Sequence, residues 1–276
     1  MPRKVREKRP VWLCVAWFAV IFGGIGVLGH ADLELRRLAD HRLQAKSVQA
    51  MASYLCSLSV TVRANDGTGS GVLVVRRVGG VDREFCLTAG HVVEGNRQPD
   101  GSFAPLRLIR QTVEHGRITG QTEIAARVVN YSGPEDGDDV AVLLVEGAGF
   151  ETTGAHFDLS GAILPPGHEV YHIGSFLGIN GAGSFSRGVI SAVGRMIGIN
   201  EYDQMTATAY PGSSGGGVFD GDGQYVGMLV RGAGSDFGLL TPMRRILRHL
   251  SNNKLMWLVD PSVAVPSLDA LNSMKG

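Results

Sequence analysis

The chain has 276 residues, 44% of them hydrophobic and 19% charged, a balance that suits a packed core and excludes a disordered chain. Its 26 basic and 26 acidic residues cancel, so bulk electrostatics points to no nucleic-acid partner. The 39 glycines favour many tight turns, as in all-β proteins, over long helices.

The neutral total hides an asymmetry. Residues 1–10 hold Arg3, Lys4, Arg6, Lys8 and Arg9 against Glu7, leaving 21 basic and 25 acidic residues in the remainder. Val11 to Gly29 then runs 19 residues without a charge, enough to span a bilayer at about 1.5 Å per helical residue. The basic flank predicts residues 1–10 in the cytoplasm, residues 11–29 as a single transmembrane helix and everything after Gly29 outside. A cleaved signal peptide competes, since Gly29-His30-Ala31 has a small-x-small cleavage pattern that would leave the rest secreted. The run exceeds the usual signal core of about 7–15 residues, and Trp12, Trp17 and Phe18 suit a retained helix, so the anchor is preferred. The adjoining charges disfavour a buried core helix. On either reading, most of the chain leaves the cytoplasm.

Residues 32–56 contain no proline or glycine, and Leu35, Leu38, Ala39, Leu43, Val48, Met51, Ala52 and Leu55 recur at roughly helical spacing. This predicts a helical stalk. Cys14 lies in the apolar run. Cys56 and Cys86 either pair in an oxidising compartment or remain two buried thiols; nothing in the sequence brings their Cα atoms within reach.

A domain over residues 57–251 follows, with short β-rich runs punctuated by glycine. Leu58–Arg63 and Gly71–Arg77 flank the turn Asn65–Gly69. Glu84–Ala89, Leu106–Thr112, Glu123–Tyr131 and Val140–Glu146 complete six strands, one small barrel over 57–147. A link runs from Gly147 to Pro166. A second barrel over 166–241 is predicted from Glu169–Ile173, Phe185–Val193, Met205–Ala209, Gly216–Phe219, Tyr225–Val230 and Phe237–Leu240. Pro242 to Leu250 reads as a closing helix with Pro242 early in its first turn. Residues 252–276 are too short for another domain and read as a surface tail.

Three local patterns carry chemistry. Glycines around Ser214 in Gly212-Ser213-Ser214-Gly215-Gly216 let the backbone turn sharply and aim N–H groups at one point. A serine needs a base, and His91 closes the apolar run Phe85–Gly90. A base needs a third group to hold its tautomer, and Asp139 stands where the acidic loop Pro134–Asp138 enters the apolar Val140–Leu144. Singly, these are a surface histidine, a solvated acidic turn and a flexible loop. Their joint occurrence, in the order His, Asp, Ser with one barrel-sized block on each side, is what points to a site between the barrels.

The runs Thr88-Ala89-Gly90-His91-Val92, Asp139-Val140-Ala141-Val142-Leu143 and Pro211-Gly212-Ser213-Ser214-Gly215-Gly216 resemble the three signatures of trypsin-like serine proteases of the chymotrypsin fold. The resemblance is closest to the HtrA/DegP-type branch. Gly69-Ser70-Gly71-Val72, Val170–Gly174, Ser186–Ser191 and Gly227–Val230 match as well, so it covers about residues 57–250. It implies two six-stranded antiparallel barrels with a C-terminal helix and protein or peptide substrates; no cofactor is expected, and no metal, since neither His-Glu-x-x-His nor paired Cys-x-x-Cys is present. It implies His91 as general base, Asp139 as its partner, Ser214 as nucleophile and the amides of Gly212 and Ser214 as oxyanion donors.

By the same resemblance the pocket for the residue before the cut is bounded by Thr206–Thr208, by Leu229, Val230, Arg231 and Gly232, and by Gly238. Thr208 lies near its base, and no acid there favours Lys or Arg, so small to medium aliphatic residues are expected. Arg231 turns its charge either to substrate or to solvent. The chain departs from the pattern at Ser213, where Asn or Asp is common, and at Gly217, where proline is common. No room for a PDZ module follows the closing helix. A membrane-tethered serine endopeptidase is the leading expectation; a non-catalytic binding protein on the same fold and a self-cleaving viral or phage processing protease are the alternatives.

Overall fold

The structure, a computed structural model, describes residues 47–114, 117–135, 137–234 and 236–275. The basic segment, the apolar run and most of the stalk lie outside them. No helix among the described residues is long and apolar enough to cross a membrane. Residues 47–58 are helical (α1), the part of the expected stalk that falls within the described chain.

Six strands form the first barrel: β1 (Ser59–Arg63), β2 (Thr68–Val78), β3 (Val81–Thr88), β4 (Leu106–Glu114), β5 (Arg117–Ser132) and β6 (Val140–Val145). They close in the order β1-β2-β3-β6-β5-β4, all antiparallel. Apolar residues from every strand fill the interior, among them Val62, Leu73, Phe85, Leu108, Val128 and Val142. A short helix, α2 (Gly90–Val93), follows β3 directly.

The second barrel holds β8 (Glu169–Gly174), β9 (Ser184–Ile197), β10 (Asn200–Met205), β11 (Gly217–Phe219), β12 (Gln224–Gly232) and β13 (Gly238–Pro242). The order β11-β8-β9-β10-β13-β12 closes through β11–β12 pairing. Val170, Ile190, Met205, Val218, Val226, Leu229 and Leu240 make its core. Helix α3 (Met243–Asn252) follows, with Pro242 as its N-cap residue rather than inside the first turn.

Two expectations are corrected here. The strand expected at Met205–Ala209 lies at Asn200–Met205: Met205, paired with Ile190, is its last residue, and of the rest only Ala209 makes an isolated bridge, to Gly234. The polar residues Asn200, Glu201, Asp203 and Gln204 hide the strand. Asp203 is buried against the Arg244 guanidinium at 2.7 and 2.8 Å, which removes the usual objection to a carboxylate there. The link from Gly147 to Pro166 also holds a two-residue strand, β7 (His156–Phe157), added parallel to β12.

Residues after α3 do more than lie on the surface. Leu255, Trp257, Leu258 and Val259 are buried, and the Trp257 ring meets Phe85 of the first barrel edge-on at 5.3 Å. Helix α4 (Leu268–Ser273) buries Leu271, and Arg127 donates to the carbonyls of Leu271 and Met274 at 3.0 and 2.7 Å. Cys56 and Cys86 are free thiols, and burial raises the pKa of both. Trp257→Ala is expected to destabilise the fold by about 3–5 kcal/mol in denaturant unfolding, the range for a buried large aromatic. A loss under about 1 kcal/mol would return this segment to the surface.

Candidate active site

Gly90 comes so close to the end of β5 that a Cβ there would overlap the Ser132 carbonyl oxygen. That approach sets His91 against Asp139. The His91 backbone N–H donates to Asp139 Oδ1 at 2.9 Å, and its ring Nδ1 lies 3.0 Å from both carboxylate oxygens. Asp139 is fully buried, while the His91 side chain is 32% exposed. With Nδ1–H directed at the carboxylate, Nε2 is left as the basic nitrogen.

Asp139 takes a left-handed backbone, φ 56°, a strained conformation for a residue with a side chain. The surrounding loop is clamped. Asp138 accepts from Arg245 Nε at 3.3 Å and lies 3.1 Å from His249 Nδ1, both on α3. Asn200 Nδ2 donates to the Gly137 carbonyl at 2.9 Å, and the Arg245 guanidinium reaches the same oxygen. Arg245 is itself buried over the Tyr202 ring at 4.9 Å. The second barrel thus holds the carboxylate that serves the first.

Ser214 sits on the turn between β10 and β11. Its hydroxyl donates to the Val230 carbonyl at 3.2 Å; among the described residues it makes no hydrogen bond to His91. The Ser70 N–H donates to the Ser214 carbonyl at 2.7 Å, and a Cβ on Gly215 would overlap the Ser70 carbonyl oxygen and Thr88 Oγ1. Because Gly215 is bare, the Ser214 backbone reaches the strand end that leads to His91. Ser213 is fully buried, with its hydroxyl folded back onto the backbone of Tyr210. The two serines thus differ in their surroundings, Ser213 bonded inward to Tyr210 and Ser214 bonded to the Val230 carbonyl.

The amides of Gly212 and Ser214 donate to no other described residue. Their directions follow from the carbonyls on the far side of each trans peptide. The Pro211 carbonyl accepts from Leu177 N–H at 2.8 Å, and the Ser213 carbonyl accepts from Gly216 N–H at 2.9 Å. Each bond pulls one carbonyl away and leaves the N–H of the same peptide pointing oppositely. Gly212 has φ +92°, where a side chain would be strained and its Cβ would overlap the Ser175 carbonyl oxygen. Leu177 is a part of the site that sequence reading missed; an exposed leucine before Gly178 carries no local signal for its bond to Pro211.

Of the residues expected to bound the pocket, Gly232 pairs with Gly238, Leu229 lies beside Gly238, and the segment just after Thr208 comes against Gly232. Ala209 and Gly234 exchange two backbone hydrogen bonds of 3.0 Å, and a Cβ on Gly232 would overlap the Ala209 methyl. At the base, an added Cβ on Gly238 would lie 3.1 Å from a Leu229 methyl and 3.2 Å from Met205 Cε. Arg231 is exposed, its guanidinium 5.9 Å from the Tyr202 ring centre. No cluster of three or more metal-ligating side chains occurs among the described residues.

The family described as "Trypsin-like peptidase domain" matches residues 69–228. The chain is 30% identical over 165 residues to "Serine protease Do-like HtrA" of Lactobacillus helveticus, across 58% of this chain and 34% of that protein. It is 29% identical over 155 residues to "Serine protease Do-like HtrB" of Bacillus subtilis, across 53% and 30%. It therefore spans about a third of the length of the curated relatives it matches. The crystal structure of Deg5 superposes with a TM-score of 0.57 at 20% identity, over 79% of this chain and 98% of that one, a likeness of fold.

Beneath this site lies His172, fully buried on β8, its Nδ1 3.0 Å from the Gly217 carbonyl. Nδ1 must carry the proton, and Nε2 has no partner among the described residues. Burial pushes its pKa down to about 4 from 6.5. Below pH 6.5 the unfolded chain binds the extra proton and the folded one does not, so stability falls as pH drops toward 4. The loss is on the order of 3 kcal/mol once both states are protonated. The acid-side fall of Tm between pH 7 and 4.5 is expected to be shallower in His172→Asn, whose amide replaces the Nδ1 donor. Equal acid slopes would show that another group titrates.

Proposed function

The chain belongs to the trypsin-like peptidase family, and from that membership we propose that it is a serine endopeptidase. The observation that carries this reading is the pairing of His91 with a buried Asp139, together with the amides of Gly212 and Ser214, which donate to no other described residue. Ser214 Oγ turns from the Val230 carbonyl to His91 Nε2 and attacks the scissile carbonyl carbon, passing its proton to Nε2. The developing oxyanion accepts hydrogen bonds from the amides of Gly212 and Ser214. Asp139 stabilises the imidazolium, which then protonates the leaving amine. Water attacks the acyl-Ser214 ester through the same groups and regenerates the free enzyme.

The touching pocket walls narrow the expected preference from small or medium aliphatic residues to Gly or Ala before the cut. The uncharged run over residues 11–29 supports a membrane tether, with the peptidase domain acting on extracytoplasmic proteins. A second reading, a binding module on a peptidase fold, is favoured by one observation: the Ser214 hydroxyl is bonded to Val230 rather than to His91.

A fluorophosphonate probe separates the two, since it reacts only with an activated serine. Labelling is expected in the wild type and absent in Ser214→Ala, with turnover in that variant lower by about 10⁵–10⁶-fold. A wild type that resists the probe would favour the binding module. In a peptide library, Ala before the cut is expected to outrun Leu or Phe by about 10-fold or more in kcat/KM, the scale on which a pocket rejects added methylenes. Faster cleavage after Leu or Phe would show that the walls part for larger side chains.

A further inference from the structure

We infer that Ser70, on β2 of the first barrel, is a positioning residue that sets the oxyanion donors of the second. The inference rests on the peptidase reading above. Every backbone and side-chain polar group of Ser70 is engaged, and three of the four bonds meet the nucleophile loop or its neighbour. The hydroxyl donates to the Gly212 carbonyl at 2.7 Å and accepts from Ser175 N–H at 2.7 Å. The N–H donates to the Ser214 carbonyl at 2.7 Å, and the carbonyl accepts from Thr88 Oγ1 at 2.6 Å. Ser70, Thr88 and Ser175 are all fully buried.

A hydroxyl has one proton to give. Ser70 Oγ gives that proton to the Gly212 carbonyl, while a lone pair receives the Ser175 N–H. The carbonyls it and its amide hold belong to Gly212 and Ser214, the two residues whose N–H groups form the oxyanion donors. Gly212 cannot be replaced, since a Cβ would overlap Ser175, yet glycine is the residue with the widest choice of φ and ψ. Its φ is set from one side by the Pro211–Leu177 bond, and its ψ from the other by Ser70. Without the hydroxyl, the Gly212–Ser213 peptide loses its restraint at the point where donor direction matters most. Misplacement by about 1 Å is enough to cost 10²-fold in rate.

Removing a donor outright costs about 10²–10³-fold in kcat, so loosening one is expected to cost less. Ser70→Ala is expected to lower kcat by about 10- to 100-fold with KM within about threefold, because the effect falls on transition-state stabilisation. Its fluorophosphonate labelling is expected to slow in parallel, and Ser70→Cys, a weaker donor, to fall between. Glu84→Ala serves as the structural comparison. Glu84 is buried and accepts from Phe150 and Thr152 N–H at 2.6 and 3.0 Å, away from the site. That variant is expected to lose at least as much Tm while labelling at close to the wild-type rate. Wild-type labelling in Ser70→Ala, or equal slowing in both variants, would overturn the positioning role alone. A wild type inert to the probe would overturn the peptidase reading and this role with it.

Discussion

The seam between the two barrels is the constraint on which the rest depends, and it narrows to the contact of Ser70 and Thr88 with the segment Gly212–Gly215. His91 and Asp139 arise on one barrel, Ser214 and the amides of Gly212 and Ser214 on the other. Their spacing is set where the two barrels touch, and this seam is the contact closest to Ser214. The contact is possible because Gly215 is bare where any Cβ would overlap Ser70 and Thr88. It is directional because the Ser70 N–H meets the Ser214 carbonyl at 2.7 Å. Each neutral hydrogen bond of this kind contributes only about 1 kcal/mol of net stability. Their larger effect is geometric, since they decide where the donors point.

A second seam supports the carboxylate. Asp139 in its left-handed conformation would relax if its loop were free, because a non-glycine residue there costs of order 1–3 kcal/mol. Asp138 and Gly137 are tied to Arg245, His249 and Asn200, so the second barrel and its closing helix hold the strained residue in place. The same reciprocity appears at both ends of the site: each barrel's functional loop is braced by the other. This explains why a helix at the far end of the chain belongs to the site's architecture.

The barrels, the closing helix and the catalytic candidates were legible in the sequence because they rest on local pattern. Val140–Val145 is apolar throughout and reads as a buried strand, and it is one. Serine among glycines, histidine after an apolar run and aspartate at a loop-to-strand junction each satisfy a chemical need within a few residues. What escaped depends on partners distant in the chain. The strand at Asn200–Met205 is polar because Arg244 neutralises its buried Asp203. Trp257 belongs to the core because Phe85 lies some 170 positions earlier on an adjoining surface. Ala209 meets Gly232 and Gly234, a contact which no periodicity reveals. Ser70 was visible as part of a glycine-flanked motif, but its role needs all four of its partners in view.

The remaining degree of freedom in the site is one hydroxyl. His91 and Asp139 are already paired, the two amides already point outward from fixed peptides, and only Ser214 Oγ is bound elsewhere, to the Val230 carbonyl. That oxygen lies on the β12 edge, beside the walls that Ala209 and Gly234 hold together. A peptide strand laid along this edge presents N–H groups that compete for the Val230 carbonyl. In the proposed reaction, such competition exchanges one neutral hydrogen bond for another and releases the hydroxyl toward His91 at little net cost. In that proposal the hydroxyl alone changes partner, while the Gly212 and Ser214 peptides stay where their bonds to Ser70, Leu177 and Gly216 hold them.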